Sequence, residues 1–127
     1  MTSKGQPVII DGVEHRPHPN GGGLVAVTAT VAETAYVGPN ARVYGMAEVS
    51  DEAQVYDHAQ VYGNAKVLGS AAVADEAQVS GFAVVTGNAR VYGNAQVYGN
   101  AEVAGFARVY GNRSVSGNAI ITEGFHG

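Results

Sequence analysis

The sequence predicts an all-β fold: a single-stranded parallel β-helix, that is, a triangular solenoid of about 5–6 coils with three hexads to the coil. Three observations carry this. A six-residue period runs without insertion or deletion through residues 23–124, its third column is aliphatic throughout, and its fifth and sixth columns hold turn formers. Across the 17 hexads the first column is Ala 15 times, the third is Val 16 times with Ile121 as the remaining member, the fifth is Gly 10 times and the sixth is Asn 7 times. A fixed internal period of this kind decides architecture before single helices or strands are considered.

A helix cannot host the pattern. At about 100° per residue, six residues turn through about 600°, so successive valines would precess around the axis instead of forming a stripe. Glycine at every sixth position would also weaken each turn. A strand hosts it column by column. Ala and Val of columns one and three point inward, while columns two and four, holding Arg, Gln, Glu, Lys, Tyr, Ser and Thr, point outward with period two. Gly-Asn or Asp-Glu then supplies a tight turn, because Gly, Asn and Asp tolerate positive φ at little cost.

Strands of about four residues cannot stand alone, so each must pair with a copy above and below. Three hexads close a triangular coil whose interior suits inward Val and Ala from three faces. The lining is then a set of ladders that step by three hexads, with Val43 over Val61, Val79 and Val97 in one and Val91 over Val109 in another.

Residues 1–22 are the predicted cap. Val8-Ile9-Ile10 and Val13-Glu14-His15 flank Asp11-Gly12, a strong hairpin signal, and residues 16–22 read as a bent connector. Residues 23–124 form the repeat and residues 125–127 a short tail. Without a C-terminal helix pattern, the last coil is expected to be frayed or buried on a partner.

The 127 residues make one domain, with 46% hydrophobic and 14% charged residues, neither the composition of a disordered chain nor, lacking a long unbroken apolar run, that of a membrane span. No Cys is present, which removes thiolate nucleophiles and zinc knuckles. A net charge of -4 with only 7 Lys and Arg argues against a surface that tracks phosphates, so no nucleic-acid partner is expected. The first seven residues lack an apolar stretch, so no secretory signal is expected. The compartment stays open, with virion and cytoplasm both compatible.

The inward aliphatic residue with a small residue two positions before it and Gly or Asn at the corner, as in Ala89-Arg90-Val91-Tyr92-Gly93-Asn94, resembles the hexapeptide-repeat, left-handed β-helix family. Its members include bacterial hexapeptide acyltransferases and γ-class carbonic anhydrases. The Ala-x-Val-Tyr-Gly-Asn form is also similar to hexapeptide-repeat proteins of bacteria and bacteriophages. The resemblance implies the left hand of the helix, a homotrimer of parallel prisms, and either catalysis or a structural role such as a capsid decoration or tail protein of a phage virion.

In the acyltransferases a His commonly acts as general base between subunits, usually beside a loop that breaks the hexad count. This chain has no such loop, and His58 is the one His inside its repeat. It is the alternative catalytic residue, with Glu76 one coil away as an orienting partner; the blander reading is a solvated corner residue in the Asn column. The three-His zinc cluster of the carbonic anhydrases finds only one repeat His here. His15, His18 and His126 lie in flexible-looking ends, where a metal would need a partner chain. No metal or cofactor is therefore expected. Asp57, His58, Asp75 and Glu76 stack on one corner and Asp51 and Glu52 on another; oxygen ladders can hold Ca²⁺, and acidic turns also keep a prism soluble.

Six of the seven Tyr fall in the outward fourth column: Tyr44, Tyr62 and Tyr98 on one face, Tyr56, Tyr92 and Tyr110 on another. They serve either as intramolecular stacks or as contact surface. The third face carries Ser50, Leu68, Thr86, Ala104 and Thr122 beside Lys66, Val84 and Ile120, flat enough for a symmetry mate. Ice binding would need a regular Thr grid, which the scattered Thr30, Thr86 and Thr122 do not give. Met46, Phe82 and Phe106 in the sixth column are expected to fill corner gaps in the core. Arg113, in the Ala column, violates the pattern. The reading that follows is a non-catalytic structural or assembly protein, self-associating as a homotrimer or docking on a larger particle, with hexapeptide-type acyl transfer through His58 as the alternative.

Overall fold

The computed structural model describes residues 8–127; the segment 1–7, read above as lacking an apolar leader, lies outside the described residues. The described chain is all-β and forms a solenoid of about six stacked coils, each coil contributing one strand to each of three sheets. Sheet 1 runs through Leu24–Ala26, Arg42–Val43, Gln60–Val61, Gln78–Val79, Gln96–Val97 and Ser114–Val115. Sheet 2 runs from Thr30–Val31 to Ile120–Ile121, and sheet 3 from Tyr36–Val37 to Phe125–His126. Pairing within the repeat is parallel with a three-hexad step, as in Val43↔Val61 and Val79↔Val97.

Most repeat strands are two residues long, half the length the pattern predicted. The coil-to-coil bonds nevertheless extend past them. Amides of columns two, four and six donate upward in turn: Arg42 to Ala59 O at 3.1 Å, Tyr44 to Val61 O at 2.9 Å, Met46 to Gly63 O at 2.8 Å. The strands are short because the chain bends, and the bonding continues through the bend.

At each full corner the column-one amide closes a turn, as Ala47 does onto Tyr44 O. From Gly45 to Gly117 positive φ falls on column five alone, as at Gly45 (67°) and Asp51 (58°), which is the type II′ pattern; the column-six Asn residues stay outside that region, and the first three corners, at Val27, Glu33 and Pro39, carry no positive φ. Close stacking adds a second demand for glycine. A Cβ on Gly81 would lie 2.8 Å from Gly99 N one coil above.

Inside, Ala and Val of columns one and three are buried without a break from Ala35 to Val109. Val43, Val61, Val79 and Val97 line sheet 1, and Val91 and Val109 line sheet 3, all with no exposed area. Each buried Val contributes about 1.5–3 kcal/mol of transfer free energy, and the ladder form leaves each touching its like above and below.

The N-terminal region is a hairpin of β1 (Val8–Ile10) and β2 (Val13–Pro17), turned at Asp11 (φ 51°) and Gly12 (φ 77°). β2 pairs antiparallel with β3 (Leu24–Ala26) and so covers the edge of sheet 1. Arg16 and Pro17, read as connector, belong to β2. Residues 18–23 then lap over the edge of sheet 3: Gly23 N donates to Val37 O at 2.9 Å, and Val37 N donates to Asn20 O at 3.0 Å.

At the other end the structure corrects two expectations. The tail is not frayed: Phe125 pairs with Arg108 and His126 with Val109, in parallel. That step is one residue shorter than the step from Arg90 to Arg108 below it. The last coil is shortened accordingly, and an imidazole, not an aliphatic side chain, ends the sheet 3 lining. The slip is also visible where Phe106 N donates to Thr122 O instead of to Glu123 O. The expectation for Met46, Phe82 and Phe106 is overturned as well. They are 70%, 64% and 74% exposed, because column six has already turned the corner and points away from the axis. Arg113, which precedes the strand Ser114–Val115, is exposed, and its carbonyl accepts Gln96 N at 2.9 Å.

Candidate functional site

The surface is organised by the same columns. On sheet 1, Tyr44 and Tyr62 stack with ring centroids 4.8 Å apart and planes within 6°. Each hydroxyl donates to a glutamine one coil on, Tyr44 to Gln60 Oε1 at 3.0 Å and Tyr62 to Gln78 Oε1 at 3.2 Å. The Arg42 guanidinium lies 4.0 Å from the Tyr44 ring centre, a cation–π contact. Burial pushes the Tyr44 hydroxyl above its ordinary value, and the Tyr62 phenol and Asp11 push the same way against a lowering by Arg42. On sheet 3, Tyr92 and Tyr110 stack at 5.3 Å and 12°.

Tyr98 and Tyr56 do not join these stacks. Ser80 stands between Tyr62 and Tyr98, and Ala74 between Tyr56 and Tyr92, each leaving a gap one ring thick. The gap at Ala74 is a cavity of about 270 Å³ bounded by Tyr56, Tyr92, Arg90 and Arg108. A second cavity on the same sheet, about 420 Å³, is lined by Tyr36, Pro39, Tyr56 and Asp57, while Gly38 itself is buried against Tyr36 and Tyr56. Sequence reasoning named the tyrosines and missed both cavities, although Ala74, the small residue that makes the first, stands in the same outward column.

The acidic corner has a backbone task. Asp51, Asp57 and Asp75 adopt φ of 56–58°, as the glycines of that column do. Each carboxylate accepts the column-five amide one coil on: Gly69 N at 3.0 Å, Asp75 N at 3.3 Å and Gly93 N at 2.9 Å. Oxygens engaged this way are caps for the turn above. His58 and Glu76 share an open groove of about 350 Å³ with Asp57, Asp75, Gly93 and Asn94. The His58 ring makes no hydrogen bond or ion pair among the described residues; its backbone amide donates to Asp75 O at 2.8 Å.

The remaining histidines are not gathered. His15 is buried in β2, with Nδ1 bonded to Val13 O at 2.9 Å and Nε2 without a partner. His18 is buried, and its Nε2 donates to Ala35 O at 2.9 Å, beside the Asn20 amide that bonds the same carbonyl at 3.1 Å. The flexible ends expected for these two are in fact packed cap. His126 sits at the opposite end, bonded to Glu123 O at 2.9 Å. Among the described residues no three His, Cys, Asp or Glu side chains converge as a metal site. On sheet 2, Lys66 and Glu48 form a surface ion pair at 3.9 Å, of little energetic weight.

Stacked parallel coils lined by aliphatic ladders define a β-solenoid repeat protein. Residues 59–74 and 85–99 match the family described as YdcK beta solenoid repeat. No curated protein and no solved structure matches the chain.

Proposed function

We propose that this chain is a non-catalytic structural module: a rigid prism that self-associates or docks on a larger particle through its outward columns. The observation that carries the reading is the set of large apolar side chains held at fixed heights on a rigid frame. Met46, Phe82 and Phe106 project from corners and Tyr98 from a face, each at least 40% exposed. Exposed aromatic groups on a frame that cannot fold over them are the composition of a contact surface. The resemblance to hexapeptide-repeat proteins extends this to a trimer of parallel prisms, and its phage-borne members to a virion part such as a capsid decoration or tail protein. Light scattering after size exclusion tests the reading: a species of two or more copies supports it, and a monomer at high micromolar concentration, with no partner particle bound, overturns it.

A second reading, acyl transfer of the hexapeptide type with His58 as base, is favoured by the groove in which His58 lies beside Asp75 and Glu76. Calorimetric titration with acetyl- or succinyl-CoA separates the two. Heat that disappears in His58→Ala supports the enzyme; no heat in the unaltered protein removes it.

A further inference from the structure

The corner between sheets 1 and 2 and the outer face of sheet 3 carry matching patterns. Up that corner, column six reads Met46, Asn64, Phe82, Asn100, Asn118, so two large apolar knobs stand two coils apart with Asn between them. Up the fourth column of sheet 3, the series is Gly38, Tyr56, Ala74, Tyr92, Tyr110, so two small residues stand two coils apart with Tyr between them. Taken in order, every knob meets a small residue and every Asn meets a Tyr. Each pair is eight positions apart in the chain, under half a coil, or about 2 Å of axial rise at about 4.8 Å per coil. The opposite half-coil choice sets Met46 against Tyr56 and Phe82 against Tyr92, ring upon knob with the Ala74 notch empty.

We infer that sheet 3 of one copy receives the Phe82 side chain of a second copy of this chain in the Ala74 notch, which sets Met46 of that copy at the cavity lined by Tyr36, Pro39, Tyr56 and Asp57. Met46 and Phe82 are 70% and 64% exposed; the Ala74 notch is the cavity of about 270 Å³, and the cavity of about 420 Å³ faces Met46. Within the Ala74 notch the entering ring lies between Tyr56 and Tyr92, which are two rungs, about 9.6 Å, apart. It therefore takes the place of the missing rung at the spacing Tyr44 and Tyr62 already show, 4.8 Å. Charge agrees with this approach. Arg90 and Arg108 border the notch and have no carboxylate partner among the described residues. Glu102, next to the knob corner on sheet 2, comes to the same side.

The knob corner stands across the prism from sheet 3. A copy thus offers knobs on one side and cavities on the other, and successive copies are related by almost no rotation. Such a contact adds parallel prisms in a row, in place of the closed trimer that the family resemblance implies.

This rests on the self-association reading, and the experiment keeps the two apart. Sedimentation is run on the unaltered chain, on Met46→Ala/Phe82→Ala, on Ala74→Tyr, and on Phe82→Ala/Ala74→Tyr, with circular dichroism melts to verify each fold. Either of the first two changes is expected to weaken association roughly tenfold or more. Phe82→Ala/Ala74→Tyr, which moves the ring from knob to notch, is expected to recover most of what Ala74→Tyr loses. Assembly unchanged in both the knob and the notch variants overturns this interface and leaves the scaffold role standing on another face. A monomeric unaltered chain overturns both. A sharp trimer with no higher species overturns the row.

Discussion

Asp75 and Gly93 occupy the same corner one coil apart, and the Asp75 carboxylate accepts the Gly93 amide at 2.9 Å. From Gly45 onward, column-five amides make no backbone hydrogen bond of their own, so an aspartate below supplies what the ladder omits. Asp also tolerates the left-handed φ that the turn requires. Asp75→Ala is expected to lose about 1–2 kcal/mol, combining the lost acceptor with strain at positive φ. Asp75→Gly should lose less, because only the acceptor goes. Urea unfolding of the two variants checks this, and equal midpoints for Ala and Gly would show that φ is not at issue.

Val91 and Arg90 are neighbours on opposite sides of one strand, the first without exposed area and the second exposed. Val91→Asp buries an unpaired carboxylate and is expected to destabilise by more than about 3 kcal/mol. Arg90→Glu should stay within about 0.5 kcal/mol. Similar losses in both would reverse the assignment of inside and outside.

Tyr44 titrates above its unfolded value because it is partly buried against Tyr62. A raised folded-state value means that the folded chain holds the phenolic proton more tightly than the unfolded chain. The associated stability is therefore present below about pH 10 and is lost as pH climbs through the higher folded value. Melting temperature followed from pH 9 to 11.5 should fall more steeply in the unaltered protein than in Tyr44→Phe, and parallel curves would refute the linkage.

The two cap histidines are expected to respond oppositely. His18→Ala removes the donor to Ala35 O in a buried setting, at a cost of about 1–3 kcal/mol. His15→Phe replaces a ring whose Nε2 is buried without a partner, and is expected to be neutral or stabilising. Thermal melts of both variants decide it; a large loss in His15→Phe would mean that Nε2 has a bonding role.

The coil was legible in the sequence because one column, Val43 to Val109 and beyond, repeats a single chemical demand at every level of the stack. The N-terminal hairpin was legible for a local reason, Asp11-Gly12 at a turn that needs two positive φ values. Three features were not. Met46 and Phe82 are apolar, and hydrophobicity alone cannot tell an inward corner from an outward one; the turn type decides, and it follows from which corner residue takes positive φ. The one-residue slip that seats His126 beside Val109 depends on how Thr122–Gly124 turn without a column-five Gly or Asp. The notch at Ala74 was written in the outward column, yet it becomes a cavity only when neighbouring rings stand around it.

The constant three-hexad step between paired strands of the repeat makes this molecule a ruler. Excising residues 59–76 would join His58 to Ala77 with every remaining side chain keeping its former orientation, and the shaft would shorten by about 4.8 Å. A cut one residue shorter at the same place would instead turn the lining to the water. Length here is therefore a quantity evolution or an engineer can adjust in whole increments, independently of what the two ends are made to hold.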